Sequence, residues 1–376
     1  MQTYIVLGIF ALIAAGIVVF IIIKKKKDTP VTPEVAPWTP PQTPGLHLIF
    51  DNANSKREFF CGTRIPEGLL LGDYGLQVGG AKIQKWNGLT NVLTDELQTI
   101  YESIFGMINP GDDLPVAIAE HYGAILKRDS AGKWVLKFST ERNADLALKI
   151  VQKADQSLWV IINGFDNQLS YLVKSTDLGN AWQKDFQFPA GFELCGMYAN
   201  GNELILGGKN GEKQVILDGT GRVIVSWEPE GEPLHYQYWA VIKDANGVIN
   251  AGTWNATNMA DGSYINAIRP DDTGQQCVPP FAVPPGKTYT GQIGAFIQAM
   301  GIKDGVRYAV LSRGWGQEGT AVLLSANDPY NWTFECEIPC PMIVEMSFSD
   351  GGVFLYGGCH EGYGLNGYGR VYFYKF

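Results

Sequence analysis

Short apolar runs separated by brief turn signals fill this chain from residue 46 onward. The turn signals are Glu67-Gly68, Gly111-Asp112, Asp155-Gln156, Asn200-Gly201, Asn246-Gly247, Asp304-Gly305 and Asp350-Gly351. From Glu67 through Asp112, Asp155, Asn200, Asn246, Asp304 to Asp350 the steps are 45, 43, 45, 46, 58 and 46 residues. Such a period, built of short strands, predicts an all-β, seven-bladed β-propeller with one four-stranded blade per period. Asn-Gly and Asp-Gly turn a chain sharply because both residues tolerate positive φ.

The third period divides most clearly, into 146–153, 158–163, 170–175 and 181–188. The fourth repeats it at 193–198, 203–207, 214–217 and 222–227. The seventh has only three strands, at 342–348, 353–356 and 370–376, while 46–50 lies ahead of the first blade without a partner. Residues 46–50 are therefore expected to supply the outer strand of blade 7 and close the ring, which removes its exposed edges. A six-bladed ring with one divergent segment is the alternative. One stretch departs from the pattern. Leu93, Leu97, Ile100, Tyr101 and Ile104 fall at helical spacing behind Thr94, a residue suited to an N-cap, and predict a short helix between blades 1 and 2.

Ahead of the ring the pattern changes twice. Residues 4–23 carry no charge, and a 20-residue helix spans about 30 Å, the depth of a bilayer core. Lys24, Lys25, Lys26 and Lys27 follow at once, with no basic side chain before the run. A cleavable leader has the opposite layout, so residues 1–27 read as an uncleaved single-pass anchor. The positive-inside rule then places the body on the cytoplasmic side, or the equivalent side of a viral membrane. Residues 28–45 hold Pro30, Pro33, Pro37, Pro40, Pro41 and Pro44 and read as an extended linker reaching roughly 50 Å.

Charge narrows the partners. The net charge is −9, and residues 1–45 hold four lysines against Asp28 and Glu34, leaving 46–376 at −11. An acidic body argues against nucleic acid, whose phosphates demand clustered Lys and Arg.

A second repeat sits at the expected third-to-fourth strand turns. Ser175-Thr176-Asp177-Leu178-Gly179-Asn180-Ala181-Trp182 fits S-x-D-x-G-x-x-W, with looser copies from Asp129 to Trp134, from Asp272 to Cys277 and from Ser325 through Asn327 to Trp332. This resembles the Asp-box (BNR, sialidase-like) propeller superfamily. The resemblance implies a structural role for Ser175, Asp177, Gly179, Trp182, Asp129, Trp134, Asn327 and Trp332, on the rim away from any ligand. Thr63-Arg64-Ile65-Pro66 resembles the sialidase R-I-P motif, but its register places Arg64 at a first-to-second strand turn. No catalytic set emerges, and no metal or cofactor is expected. Cys336, Cys340, Cys359 and His360 lack a second close-spaced ligand pair and read as reduced, mostly buried thiols beside one histidine.

What remains is a surface. The expected second-to-third strand loops are long in blades 5, 6, 7 and 1, and they collect Tyr74, Trp254, Asn255, Arg313, Trp315, His360, Tyr363 and Tyr368. Aromatics and Arg are what protein-binding patches use. The expectation is a membrane-anchored, non-enzymatic binding or assembly module, one home for which is a membrane-containing virion or envelope. Its partner is a protein met through one face of the ring. A sialidase-like hydrolase or glycan-binding lectin is the alternative.

Overall fold

The computed structural model describes residues 37–53, 56–75, 79–111, 114–164, 169–227, 237–254, 265–269, 275–278, 296–313, 319–349, 351–359 and 367–376. The segment 4–23 lies outside them, and no helix among the described residues is long and apolar enough to cross a membrane. The ring is a seven-bladed all-β propeller. Strand β1 (Gly45–Asn52) comes first. Blade 1 is β2 (Glu58–Ile65), β3 (Gly68–Tyr74), β4 (Lys82–Asn87) and β5 (Val92–Gln98). Blade 2 is β6 (Ile104–Ile108), β7 (Val116–Ala119), β8 (Ala124–Arg128) and β9 (Trp134–Phe138). Blade 3 is β10 (Asp145–Gln152), β11 (Leu158–Gly164), β12 (Leu169–Ser175) and β13 (Gln183–Gln187). Blade 4 is β14 (Phe192–Asn200), β15 (Glu203–Asn210), β16 (Lys213–Asp218) and β17 (Val223–Trp227). Blade 5 is β18 (Gln237–Lys243), β19 (Ile249–Trp254), β20 (Ile265–Ile268) and β21 (Gln275–Val278). Blade 6 is β22 (Phe296–Lys303), β23 (Val306–Ser312), β24 (Ala321–Ala326) and β25 (Thr333–Ile338). Blade 7 is β26 (Met342–Ser349), β27 (Gly352–Cys359) and β28 (Tyr368–Lys375), and β1 is its fourth strand, antiparallel to β28.

The seven turn signals fall at the connections between the first and second strands of the seven blades. Between successive blades, including 7 and 1, the facing sheets bury one apolar cluster each. The first and last strands of the ring meet in blade 7, beside its seam with blade 1. There Trp38 joins Phe59, Trp86, Phe354 and Phe373, its ring 5.1 Å from that of Trp86 and edge-on to it. A Cβ on Gly88 would stand 2.4 Å from the Trp38 ring, so the indole is seated where only glycine leaves room. The Trp38 N–H donates to the Pro66 carbonyl at 2.9 Å. Packing of the body thus begins at Trp38, several residues ahead of β1.

The helix expected between blades 1 and 2 is not formed. Residues 92–98 are the outer strand β5, and β6 starts at Ile104. The cause is a bulge. Leu93 pairs with Trp86 and Leu97 with Ile83, with the register shift lying between. Leu93 thereby packs toward the blade 7 seam and Leu97 toward blade 2. A four-residue spacing that reads as one helix face here serves the two opposite faces of one strand.

The third-to-fourth strand turns are held by aspartates. Asp177 Oδ1 accepts from the Asn180 and Ala181 N–H groups at 3.1 and 2.9 Å, and Ser175 Oγ accepts from the Gly179 N–H at 2.8 Å. Gly179 supplies the positive φ of +89°. Asp129 Oδ1 does the same for Ala131 and Lys133. In blade 6 the turn is capped by Asp328, not Asn327, since Asp328 Oδ1 accepts from the Tyr330 N–H at 2.8 Å. These turns also tie blades together. Lys127 Nζ of blade 2 donates to the Leu178 carbonyl of blade 3, and Asn250 Nδ2 of blade 5 to the Pro329 carbonyl of blade 6.

The three tryptophans differ in burial. Trp332 is buried, while Trp134 and Trp182 are half-buried braces. Trp134 Nε1 donates to Glu96, and Trp182 Nε1 donates to the Gly179 carbonyl of its own turn. Trp182→Ala is accordingly expected to cost about 2 kcal/mol, below the ~3–5 typical of a fully buried tryptophan. Urea titration of the variant checks this, and a loss above that range would mean the ring carries more of the interface than its exposure implies.

Candidate functional site: the axis and the rim of blade 2

Each blade's first strand faces the axis and carries a bulge in its pairing with the second. The unpaired residues are Phe60, Phe105, Leu148, Cys195, Trp239, the pair Ile297 and Gln298, and Val344. A bulge re-aims the extra side chain. Repeated around the ring, it turns these residues inward, and six of them with Lys149 line a cavity of about 20 Å³. Phe60 packs edge-on against Phe105 at 5.3 Å and stacks on Tyr74 at 5.4 Å. One residue beyond the bulges of blades 3 and 7, Lys149 Nζ meets Glu345 Oε1 across the axis at 3.5 Å. Burial pushes the Glu345 carboxyl up to about 7 against the pull of Lys149, and its second oxygen is buried without a hydrogen bond.

The second-to-third strand turns and the inter-blade connections share one face of the ring. The surface residues singled out from sequence are distributed over it unevenly. Asn255, Trp315, His360 and Tyr363 lie outside the described residues, as does the side chain of Trp254. Arg313 follows β23, half-buried, with its N–H on the Pro341 carbonyl at 2.7 Å. Tyr368 opens β28 beneath the Arg370 guanidinium at 4.4 Å. Tyr74 belongs to the axial stack. Arg64 is bound elsewhere, its guanidinium donating to Ser349 Oγ at 3.1 Å and to the Trp38 carbonyl at 3.2 Å. Other arginines are spent separately, Arg307 on Asp244 and the Asn327 carbonyl, Arg370 on Asp51 and the Pro339 carbonyl. Cys61, Cys195, Cys336, Cys340 and Cys359 are unbridged, and burial pushes the thiols of Cys61, Cys195 and Cys340 up, away from nucleophilic use.

Sequence reasoning missed a cluster on the same face, at blade 2. Glu102 stands in the connection entering β6, and Glu120 and His121 form the turn between β7 and β8. One donor atom from each lies within 4.8 Å of the other two. His121 adopts φ +66° and Tyr122 φ +55°, a conformation uncommon outside glycine that folds neighbouring side chains toward one side. His121 Nδ1 lies 2.9 Å from the Asn143 carbonyl, an acceptor only, so Nδ1 carries the proton. Ser103 Oγ donates to Glu120, whose carboxyl is pushed up by burial against that bond. Burial acts to lower the His121 pKa, but the Asn143 carbonyl and Glu102 outweigh it and the net shift is upward. The local signal was the run Glu120-His121-Tyr122-Gly123 between two short strands.

On the opposite face, a cleft of about 270 Å³ opens between blades 4 and 5. Four of its five charged residues pair off, Lys243 with Glu203 at 2.6 Å and Arg222 with Asp218 at 2.9 Å, and the fifth, Arg269, lies over the Tyr330 ring.

No protein-family model matches the sequence, and no curated protein matches it. Solved structures do. Virginiamycin B lyase from Staphylococcus aureus superposes with a TM-score of 0.56 at 11% identity, covering 87% of this chain and 98% of that one. Oligogalacturonate lyase from Vibrio parahaemolyticus gives 0.53 at 11% identity, over 88% and 93%. The WD40 propeller domain of Doa1 gives 0.55 at 10% identity, over 87% and 97%. Lyases and a WD40 domain resemble it equally well, and at such identities the likeness establishes the propeller fold and nothing narrower.

Proposed function

We propose that this chain is a membrane-anchored propeller that binds a protein partner through the face carrying its second-to-third strand turns. The observation that carries this reading is the narrow axis among the described residues, where the bulged side chains leave a cavity of only about 20 Å³, so recognition falls to the rim. The rim's unequal loops then set specificity, with Arg313 and Trp315 as anchors, since Trp and Arg dominate measured hot spots. The uncharged run 4–23 and the four lysines after it support the anchor, and an envelope or virion membrane is one setting for it. Detergent extraction of the full chain, followed by partner capture and titration, tests the proposal. Arg313→Ala with Trp315→Ala should weaken the captured partner by at least ~2 kcal/mol with little change in melting temperature, whereas Arg64→Ala should leave binding unchanged. The reverse pattern would sink the protein-binding reading. It would favour the second one, a glycan-binding or glycan-cleaving Asp-box protein, which the Ser175–Asp177–Gly179 turn supports.

A further inference from the structure

The cluster at blade 2 has the layout of a divalent metal centre, independent of whether the ring binds a partner. Glu102, Glu120 and His121 come from two separate segments, yet their donor atoms converge within 4.8 Å. With Nδ1 committed to the Asn143 carbonyl, Nε2 is the ring atom that faces the cluster, where a metal ion would take the place of its proton. That atom is buried and makes no hydrogen bond. Glu102 Oε1 stands 3.1 Å from it, within ion-pair reach but out of line for a donated N–H. Without a metal the imidazolium form supplies the positive charge these carboxylates face, and with one the deprotonated Nε2 and both carboxylates become ligands. Metal-bound histidines characteristically donate their other ring N–H to a carbonyl, as His121 does, and metal-bound carboxylates are themselves held by hydrogen bonds, as Glu120 is by Ser103.

We propose that Glu102, Glu120 and His121 bind one divalent transition-metal ion of the zinc class on the rim of blade 2. One imidazole and two carboxylates suit Zn²⁺ best among common dications. The hard ions Mg²⁺ and Ca²⁺ prefer all-oxygen sets, and no thiolate takes part. Three protein ligands leave a coordination position open toward solvent. The ion would join the connection entering β6 to the β7–β8 turn, with the blade 2 to blade 3 connection attached through Asn143.

Calorimetric titration of the full chain in detergent with ZnCl2, and separately with MgCl2, tests the site. One equivalent of zinc should bind at micromolar or tighter concentration, with magnesium far weaker. Glu102→Gln and His121→Asn should each weaken zinc at least tenfold. Asn tolerates the positive φ at 121, and Glu102 is half-buried on a connection outside the strands, so both variants should fold, as near-ultraviolet circular dichroism would show. The double variant should lose one equivalent. Zinc stoichiometry unchanged in the double variant would place the ion elsewhere, for instance on cysteines, and overturn the assignment. So would wild-type protein that shows no saturable zinc binding below millimolar concentration.

Discussion

Deleting residues 1–52 should abolish the cooperative ring, whereas deleting 1–36 should leave a soluble, folded body. The longer deletion removes β1, which pairs with β28 from Gly45 opposite Lys375 to Asn52 opposite Gly369, and so opens an edge on blade 7. Leu46, Ile49 and Phe50 leave with it, from the clusters on either side of that blade. Trp38 leaves too, and losing a buried tryptophan alone costs roughly 3–5 kcal/mol. Since whole domains are stable by only about 5–15 kcal/mol, the summed loss should exceed what the ring can absorb. A third chain, lacking 1–45, separates the contributions. It keeps all but the first residue of β1 and loses Trp38, so it should fold but melt well below the chain starting at 37. Calorimetric melts of the three chains decide the matter. Equal midpoints for the 1–36 and 1–52 deletions would show that the ring closes without β1.

Much of this architecture was legible because the signals were local. A first-to-second strand turn needs residues that accept positive φ, so Asn200-Gly201 and Asn246-Gly247 announce themselves without tertiary context. The incomplete seventh period pointed to 46–50 by elimination. What stayed hidden depended on one extra residue or one distant neighbour. A bulge in β5 made Leu93 and Leu97 look like one face of a helix. Trp38 sits among prolines and reads as linker until the blade 7 seam is built around it. The narrow axis was invisible because each bulge is a backbone event with no residue signature, falling at Phe60 in one blade and at Cys195 in another. The blade 2 cluster escaped for a related reason. Glu120 and His121 lie in a tight turn with positive φ at His121 and Tyr122, and their partner Glu102 is remote in sequence, so no local spacing announces the cluster.

The pair at the axis should make stability fall as pH rises. Glu345 titrates near 7 in the folded ring and near its ordinary 4.5 when unfolded. Between those values the folded state holds the extra proton, so the contribution of Glu345 to stability is greatest below about 4.5, declines toward 7 and then levels. Asp73, pushed up to about 7 by burial against Arg57, adds to the same trend, so wild-type pH dependence alone does not isolate Glu345. Lys149→Met does. At pH 5 Glu345 is protonated, and losing its partner should cost little. At pH 8 Glu345 is ionised only because Lys149 faces it, and without the lysine it takes up a proton, so the extra cost at pH 8 should be about 1.4 kcal/mol, one pH unit above a folded value near 7. Adding Glu345→Gln to Lys149→Met should restore most of that loss at pH 8 and change little at pH 5. Urea unfolding of the wild type and the two variants at both pH values measures it. A Lys149→Met penalty of equal size at pH 5 and pH 8 would mean that the lysine matters for its packing at the axis, and that the charge it places opposite Glu345 does not.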